Sequence, residues 1–356
     1  MKFLHMADCH LDSAMEAHLP AKAAQKRRGE LRLTFYETLC RIEEEHIDAV
    51  LLAGDIFDTP SPSKETVKYV LDCLAQHKDT PFIIIEGNHD KGAWAKEDMP
   101  SNVRLATGET FESFVFGECA IHALSYPYSP HSFDNIPYQS DKKNVYLLHG
   151  TFVSSYQDEA SIPISAFSAI KPDYVALGHY HSYTHTVLSD TLSYCYAGTP
   201  EGRGFDETGA CGVILWDSES GKHTFIPTAR RTLHTVSLSI DGLQSQIELE
   251  GAILNATADI PERDMVRLVL TGHFSEHMYL QKNIAQVKTL LDDRFYFARV
   301  KDESSLFISY EDYRHDVSLK GEFVRLVLGS SLPQTEKEQI LLYGLRAMKG
   351  EMPDQE

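Results

Sequence analysis

The sequence predicts an α/β fold followed by a smaller C-terminal unit. Short apolar runs rich in β-branched residues alternate with segments whose apolar residues recur every three to four positions. Several of the apolar runs stop abruptly at Gly, Asp or His, and near residue 232 the rhythm of strands and helices starts again. This alternation predicts parallel strands joined by right-handed crossover helices.

The first ninety residues carry the clearest alternation. Strands are predicted at residues 2–7, 49–53 and 82–85, each a run of apolar side chains. The helix between the first two strands, residues 23–46, has apolar residues at three-to-four spacing. Ser63 is the predicted N-cap of the helix that precedes the third strand.

After Asp90 the predicted strands have shorter connections, so the sheet there is expected to be antiparallel or mixed. One short helix is predicted near residues 164–170. The predicted strands of this part occupy residues 111–116, 119–125, 145–148, 174–177, 192–197 and 212–216.

The chain is predicted to divide into three parts. Residues 1–232 form the main domain, residues 233–318 a small α+β domain, and residues 319–356 a helical tail. The α+β domain is predicted to have strands and helices at residues 233–240, 243–255, 265–270, 276–291 and 295–300.

The helical tail is predicted to contain helices at residues 319–328 and 336–348. Its apolar residues either dock a partner protein or pack against their own domain. These residues are Leu326, Leu328, Leu341, Leu342 and Leu345.

Composition and charge exclude several classes of protein. The 356 residues are 42% hydrophobic and carry a net charge of −19, which argues against broad, non-specific binding to nucleic acid or anionic membrane. Bound cations reverse such a field locally. No apolar run approaches the roughly 20 residues that span a bilayer, and the N-terminus turns polar too early for a signal peptide. The six cysteines lack CxxC spacing, so reduced thiols and a cytoplasmic location are expected.

Polar residues able to bind a metal follow most of the predicted strands. The apolar run at residues 82–85 leads into Gly87 and then presents Asn88, His89 and Asp90 in a row. In open α/β sheets, chemistry lies at the carboxyl ends of the strands. The candidate ligands share this position directly after a predicted strand: Asp8, His10, Asp55, Asn88, His149, His179 and His181.

Spacing supports a common site. Asp8 and His10 are two residues apart, and on an extended backbone they would face the same side; His179 and His181 repeat this spacing. Each residue alone has an ordinary explanation as a turn, a cap or a buried histidine. Cys9, between two candidate ligands, is expected in the core, and the histidines His122 and His185 are expected to be structural.

The ligand chemistry predicts a pair of metal ions. Imidazole and oxygen ligands without a thiolate suit manganese, iron or zinc, and would be unusual for calcium. Seven candidates are too many for one ion, whereas two ions bridged by a carboxylate lie about 3.5–4 Å apart. We therefore expect two divalent metal ions, with manganese favoured and iron or zinc as alternatives.

The sequence resembles a known family at these motifs. DCH, GDIFD, GNHD, HG and GHYH occur in the order found in calcineurin-like metallophosphoesterases. Within them the chain is similar to the SbcD-type DNA repair exonucleases over about residues 1–230, and residues 196–212 resemble the YhaO-like bacterial branch. The resemblance implies a four-layer α-β-β-α metallophosphoesterase sandwich with a smaller C-terminal α+β capping domain.

The resemblance also implies how the ligands divide between the two ions. One ion would be held by Asp8, His10 and His181, the other by Asn88, His149 and His179, with Asp55 as the bridge.

Two catalytic residues are implied as well. His89 would act beside the leaving oxygen without binding metal, and Asp58 would be its acidic partner. SbcD-type nucleases often carry His where Asp58 stands, so this position departs from that pattern. Thr59 and the motif GNHD differ from the Arg and GNHE of phosphoprotein phosphatases and argue against that activity.

The resulting functional prediction is a dinuclear-metal-dependent phosphodiester hydrolase, a DNA exonuclease or endonuclease subunit in DNA repair. Its expected partners are DNA and an SMC-like, SbcC-like ATPase, with a homodimer also open. The alternatives are a nucleotide phosphodiesterase, which the acidic surface favours mildly, and a DNA-end-binding scaffold for the ATPase. Arg203 either contacts substrate phosphate through bidentate hydrogen bonds or pairs with Asp206 or Glu207.

Overall fold

The fold is described from a computed structural model of the chain. It describes residues 1–15, 19–275, 278, 282–307, 313 and 315–348. The chain forms two compact units, Met1–Thr232 and Leu233–Glu356.

The first sheet of the first unit is built by the predicted strand–helix alternation. Four parallel strands, β1 to β4, lie side by side. Beyond β1 the sheet continues with β13, which is antiparallel to β1, and β14, which is antiparallel to β13, so the strand order is β14-β13-β1-β2-β3-β4. The strands are β1 (Lys2–Met6), β2 (Ala49–Ala53), β3 (Phe82–Ile85), β4 (Val103–Ala106), β13 (Gly212–Asp217) and β14 (His223–Pro227).

Two crossover helices connect the first three strands, α1 (Ala21–Glu44) and α2 (Lys64–Gln76). Right-handed crossovers place both on the same face of the sheet. The predicted N-cap Ser63 is confirmed, because its side chain accepts a hydrogen bond from the Thr66 amide.

The second sheet is mixed, as predicted for the chain after Asp90. Its strand order is β11-β12-β10-β7-β6-β5, with parallel pairing from β12 through β6 and an antiparallel strand at each edge. The strands are β5 (Glu112–Phe116), β6 (Cys119–Ala123), β7 (Lys143–His149), β10 (Tyr174–Gly178), β11 (Thr184–Val187) and β12 (Ser193–Tyr196).

The main core lies between these two sheets. Leu51 and Ile83 from the first sheet and Val145 and Ala176 from the second are fully buried members of one apolar cluster. A second cluster covers the other face of the second sheet, where Phe167 belongs to a short 3-10 helix, Ile164–Phe167. A short parallel pair, β8 (Thr151–Val153) and β9 (Ser161–Pro163), completes this unit. The α/β sandwich is confirmed, with a 3-10 helix and loops forming much of the fourth layer.

The second unit alternates strands and helices along the chain. Its three-stranded sheet is wholly parallel, in the order β15-β16-β18. Strands β17 and β19, each two residues long, form a separate parallel pair. These elements are β15 (Leu233–Ser239), α3 (Gln246–Ala256), β16 (Met265–Thr271), β17 (His273–Phe274), α4 (Ile284–Asp292), β18 (Phe297–Asp302) and β19 (Ser305–Leu306). The predicted helix at 276–291 therefore has a described part from Ile284, while residues 276–277 and 279–281 lie outside the described residues.

The two C-terminal helices, α5 (Leu319–Leu328) and α6 (Gln334–Ala347), pack into the core of the second unit. Leu341 and Leu345 are buried in that core, and Leu328 and Leu342 pack against it, whereas Leu326 is 67% exposed. Packing against their own domain, one of the two alternatives for these leucines, is thus confirmed for four of them. Residues 349–356 of the predicted tail lie outside the described residues.

No helix within the described residues combines the length and the apolar character needed to cross a membrane.

Several short strands were not predicted from the sequence, namely β4, β8, β9, β11, β14, β17 and β19.

Candidate metal centre

Five parallel strands bring the predicted ligands to one edge of the sandwich. Strands β1, β2 and β3 of the first sheet and β7 and β10 of the second each lead into a segment that carries one or two of them. Carboxyl ends of parallel strands meet at the same edge of a sheet. All seven predicted ligands converge here, as the distances below show.

The backbone at the ligands departs from the predicted geometry. Asp8, His10 and Asp55 have φ angles of 51°, 44° and 53°, and His179 has a φ of 105°. Such values are uncommon outside glycine, and they cluster at functional sites. The expectation that Asp8 and His10 face the same side because the backbone is extended is therefore wrong: β1 ends at Met6, and two left-handed residues aim the side chains.

Two glycines make room for the site. A Cβ on Gly87 would lie 2.3 Å from Oδ1 of Asp55, and a Cβ on Gly54 would lie 2.6 Å from Nδ1 of His149. Gly54 also has a φ of +81°, whereas Gly87 is not in the left-handed region. Gly87 is thus required by the close approach of Asp55 rather than by a left-handed turn.

The first group of ligands joins the two sheets. Nε2 of His10 lies 3.1 Å from Nε2 of His181, and ligand atoms of Asp8, His10 and His181 all lie within 4.8 Å of one another. Both oxygens of Asp8 accept a hydrogen bond from the His179 amide, at 3.0 and 3.1 Å. These bonds hold the Asp8 carboxylate against the loop that carries His179 and His181.

The second group centres on Asn88. Its Oδ1 lies 2.9 Å from Nε2 of His149 and 3.1 Å from Nδ1 of His179. Nδ1 of His149 donates to the carbonyl oxygen of Ala53 at 2.8 Å, which fixes the ring so that Nε2 points at Asn88. A hydrogen bond at the far nitrogen is the usual way in which a protein orients a metal-binding histidine.

Asp55 lies between the two groups. Its Oδ2 is 3.3 Å from Nε2 of His149 and 3.8 Å from Nε2 of His10. Its other oxygen accepts a hydrogen bond from the His89 amide at 2.8 Å. One carboxylate therefore contacts a histidine of each group and anchors the loop that carries Asn88.

Burial and mutual charge shift the pKa values strongly. Burial raises the pKa of Asp8 to about 7. Burial alone would lower the pKa of His149, but the carboxylates of Asp55 and Asp8 outweigh it and raise the value to about 9. Burial would raise the pKa of Asp55, but His149 and His10 hold it below its usual range.

Asp58 contacts His10 more closely than His89. Its Oδ1 lies 2.9 Å from Nδ1 of His10, although the angle there is too bent for a regular hydrogen bond, and 3.8 Å from Nδ1 of His89. The same oxygen accepts a hydrogen bond from Nη1 of Arg203 at 2.7 Å. The carboxylate of Asp58 thus lies closest to the ring of His10, and its pairing with His89 stays a prediction.

His89 stands at the surface of the cluster. Its side chain is 43% exposed, and its ring lies edge-on against His10 with centroids 4.8 Å apart. Nδ1 of His89 contacts the carbonyl oxygen of Asp58 at 3.4 Å. The ring is thus accessible to a molecule bound over the cluster.

Glu207 is a site residue that the sequence named only as one partner for Arg203. Its Oε1 lies 2.7 Å from Nδ1 of His181 and accepts hydrogen bonds from Nε and Nη2 of Arg203 at 3.0 and 2.7 Å. Burial would raise the pKa of Glu207, but His181 and Arg203 lower it to about 2. Arg203 therefore joins Asp58 to Glu207, two carboxylates that contact His10 and His181. The carboxylate-paired alternative for Arg203 is confirmed.

Asp90 is the last residue of the GNHD motif, and its role is to bind backbone amides. Its two oxygens accept hydrogen bonds from the amides of Gly87, Asp55, Ile56 and Phe57. Asp90 therefore braces the loop through these backbone hydrogen bonds. The expectations for Cys9 and His122 are confirmed: Cys9 is buried, and both ring nitrogens of His122 bind neighbouring side chains.

The sequence matches the family profile of the calcineurin-like phosphoesterases over residues 1–185. This chain is a calcineurin-like phosphoesterase. The match contains every residue of the two ligand groups and stops before Arg203 and Glu207.

Three relatives of this phosphoesterase are about one quarter identical to it over the aligned residues. The uncharacterized metallophosphoesterase YhaO of Bacillus subtilis is 26% identical over 232 residues, covering 60% of this chain and 57% of the relative. A subunit of the nuclease SbcCD from the same organism is 25% identical over 271 residues, covering 62% and 67%. The DNA double-strand break repair protein Mre11 of Methanosarcina acetivorans is 26% identical over 354 residues, covering 89% and 54%. The chain thus spans little more than half the length of two of these relatives.

Two solved structures have a distantly similar chain trace. The protein TT1561 of Thermus thermophilus has a TM-score of 0.41 at 11% identity, covering 64% of this chain and 98% of that protein. A dimetal phosphatase from Danio rerio has the same TM-score and identity, covering 60% and 91%.

The residues of this phosphoesterase fit a pair of divalent cations. Bare ligand atoms converge in each group at 2.9–3.1 Å, and neighbouring ligands on an octahedral ion with bonds of about 2.1 Å lie about 3 Å apart. Histidine binds a metal ion through a ring nitrogen that carries no proton, so protons compete with the cation and metal binding is expected to weaken as the pH falls.

Proposed function

We propose that this chain is a dinuclear-metal-dependent phosphodiester hydrolase that cleaves DNA in repair. The observation that carries this proposal is the position of Asp55 between two groups of ligands at one edge of the sandwich. Membership of the phosphoesterase family supports hydrolysis of a phosphate ester. The DNA substrate is supported by relatives named as a nuclease subunit and as break repair proteins.

The contacts support the division of ligands that the family resemblance implies. Asp8, His10 and His181 would hold one ion, and Asn88, His149 and His179 the other, with Asp55 shared. Two divalent cations at this position would activate water and offset the charge of the phosphodiester. The oxygen and imidazole ligands suit manganese, with iron or zinc as alternatives.

His89 is the proposed proton donor to the leaving oxygen. Its backbone is anchored by Asp55, and its exposed ring stands against His10 at the surface of the cluster. A positioned general acid contributes about 10²–10⁴-fold to turnover. Asp58 helps by fixing the opposite side of His10, against which the His89 ring rests.

The proton-donor role is tested with His89→Ala. We expect this variant to keep its manganese content and to lose about 10²–10⁴-fold in hydrolysis of bis(p-nitrophenyl) phosphate. The matched control is His131→Ala, because the His131 side chain is 85% exposed and belongs to no ligand group among the described residues. Wild-type turnover in His89→Ala would remove the proposed role.

In this proposal Arg203 binds a substrate phosphate only after its guanidinium has released one of its two carboxylate partners. Nη1 is bonded to Asp58, and Nη2 is bonded to Glu207 and lies 3.3 Å from Nδ1 of His181. The affinity of Arg203→Ala for DNA is measured against salt concentration. A shallower salt dependence supports a phosphate contact, and an unchanged slope reduces Arg203 to a positioning residue.

The substrate class is decided by one assay series in manganese. Single-stranded DNA, double-stranded DNA and cyclic nucleotides are compared at equal phosphodiester concentration. Hydrolysis of DNA supports the proposal, and hydrolysis of nucleotides alone overturns its DNA part while leaving the metal-dependent phosphodiesterase intact.

A nucleotide phosphodiesterase is the second candidate, because a cavity adjoins the site. Its volume is about 470 Å³, within the range of small-molecule pockets. Glu86, which precedes Gly87, and Tyr128, whose hydroxyl accepts a hydrogen bond from the His149 amide, line it together with Tyr126 and Tyr156. The net charge of −19 also favours a small substrate over long DNA.

We also propose an SMC-like ATPase as a partner, because one relative is named as a subunit of SbcCD. On the second unit, Leu319 and Leu326 of α5 are exposed apolar residues. Co-elution of the purified chain with an SMC-like ATPase tests this partner. Loss of co-elution in Leu326→Asp supports docking through α5, whereas absence of co-elution by the wild type overturns the partnership.

A further inference from the structure

A second group of metal-binding side chains lies on three strands of the first unit. His185 on β11 is paired directly with Cys195 on β12 in the second sheet, and His223 lies on β14 in the first sheet. One ligand atom from each of the three lies within 4.8 Å of the other two. Strands β11 and β14 are edge strands, so the group bridges the same edge of both sheets.

The rings of His185 and His223 lack the hydrogen-bond partners that the rings of His5 and His122 have. Their rings touch, with centroids 4.3 Å apart, and neither forms a hydrogen bond within the part of the chain that the structure describes. By contrast, both nitrogens of His5 and both nitrogens of His122 are bound to neighbouring polar groups. The nitrogens of the exposed His185 ring and the half-buried His223 ring therefore have no hydrogen bond to the described part of the chain and are available to a ligand beside the buried thiol.

The chemistry of the group selects the ligand. Two imidazoles and one sulfur, without a carboxylate, suit zinc and exclude calcium and magnesium, which take oxygen ligands. Cys195 is a free cysteine that is almost completely buried, and burial raises the pKa of its thiol to about 12. Without a metal it is therefore an inert thiol, and a bound cation is needed to convert it to a thiolate.

We propose that His185, Cys195 and His223 form a mononuclear zinc site that clamps the outer edges of the two sheets. Zinc binding breaks the S–H bond of Cys195 and releases its proton to water, while both imidazoles bind in their neutral form. His185 is exposed, so the fourth tetrahedral position faces solvent and takes a water molecule. The site is separate from the dinuclear centre, whose ligands include no cysteine.

The geometry needs only side-chain adjustment to close. Ligand atoms around a tetrahedral zinc lie about 3.3–3.8 Å apart, so the three side chains must approach by about 1 Å. His185 is free to rotate because it is exposed and makes no hydrogen bond to the described part of the chain. The strands themselves are already held in place, since Tyr183 and Phe225, two residues from His185 and His223, stack with ring centroids 4.7 Å apart.

The test uses cobalt in place of zinc in the full chain. A cysteine thiolate bound to cobalt(II) gives an intense charge-transfer band in the near ultraviolet, which oxygen and imidazole ligands do not give. We expect this band in the wild type and its loss in Cys195→Ser. Cys40→Ser, which changes a half-buried cysteine on α1, is the matched control and should keep the band.

A second variant keeps the test decisive if Cys195→Ser does not fold. His185→Ala removes an exposed side chain, and we expect it to fold and to bind about one zinc per chain fewer than the wild type. Zinc should also raise the Tm of the wild type more than that of His185→Ala. A wild type without the cobalt band, or a band unchanged in Cys195→Ser, overturns the zinc site. The histidines then merely continue the aromatic contact of Tyr183 and Phe225.

Discussion

Gly87 offers a direct test of how the candidate metal centre is built. In Gly87→Ala the new Cβ would lie 2.3 Å from Oδ1 and 2.7 Å from the backbone nitrogen of Asp55. Ordinary contacts are about 3.5 Å or longer, so both distances have to lengthen, each by about 1 Å. The backbone of Asp55 is held by hydrogen bonds to His10 and Asp90, so the Asp55 side chain and the backbone at Gly87 give way.

The magnitude follows from the contacts that are lost. Overpacking by one methyl group costs about 1–3 kcal/mol, and loss of the hydrogen bond from the His89 amide to the Asp55 carboxylate costs about 1.5–3 kcal/mol. We expect a total loss of about 3–5 kcal/mol in the free energy of unfolding. Displacement of Asp55 should also weaken metal binding by at least about 10–100-fold, the loss that follows when a ligand's supporting partner is removed.

The assay compares Gly87→Ala with the wild type in three measurements: urea unfolding, manganese titration and hydrolysis of bis(p-nitrophenyl) phosphate. The control is Gly29→Ala in α1, where a Cβ meets nothing within 4 Å and helix propensity predicts a gain of about 0.5–1 kcal/mol. Wild-type manganese affinity and turnover in Gly87→Ala would refute the inferred role of this close approach.

Three further predictions concern residues around the site and the core. Arg27→Met should lower the free energy of unfolding by about 3–5 kcal/mol, because it leaves the buried carboxylate of Glu201 without its cationic partner; urea unfolding measures this, and a loss below about 1 kcal/mol contradicts it. Glu207→Gln should weaken manganese binding by about 10–100-fold through His181, and titration showing unchanged affinity would exclude that support. Burial lowers the pKa of His5 from 6.5 to about 3, so below pH 6.5 the unfolded chain binds a proton that folded His5 does not. Stability should therefore fall by about 2 kcal/mol more between pH 7 and pH 5 in the wild type than in His5→Gln, and equal pH slopes in urea unfolding would count against it.

Local chain properties made the main elements predictable. Apolar, β-branched runs identified β1, β2, β3, β7 and β10, because a strand buried on both faces needs an apolar side chain at nearly every position. Short strands such as β11 and β14 were not predicted. They are edge strands, where one side of the backbone is unpaired, and their polar, alternating residues resemble those of loops.

The candidate ligands were predictable for a similar reason. Asp8 and Asp55 each follow a buried strand and His149 ends one, and topology alone brings the carboxyl ends of such strands together. The reason given for the side-by-side placement of Asp8 and His10 was wrong, because left-handed backbone angles and not strand alternation aim them. The choice of candidate ligands did not depend on this error, since ligand chemistry depends on side-chain type more than on the path of the backbone.

The sequence by itself determined the α/β class, the strand ends that carry the candidate ligands and the chemical preference of those ligands for divalent cations. Only the tertiary structure decided which groups support them: Glu207 behind His181, Asp58 behind His10, and Arg203 between the two carboxylates. It also decided that His185 meets His223 beside Cys195. The physical reason is the separation along the chain. Periodicity and strand ends are properties of neighbouring residues, whereas contacts between Asp58 and Arg203 depend on loops whose paths are set by packing of the whole unit.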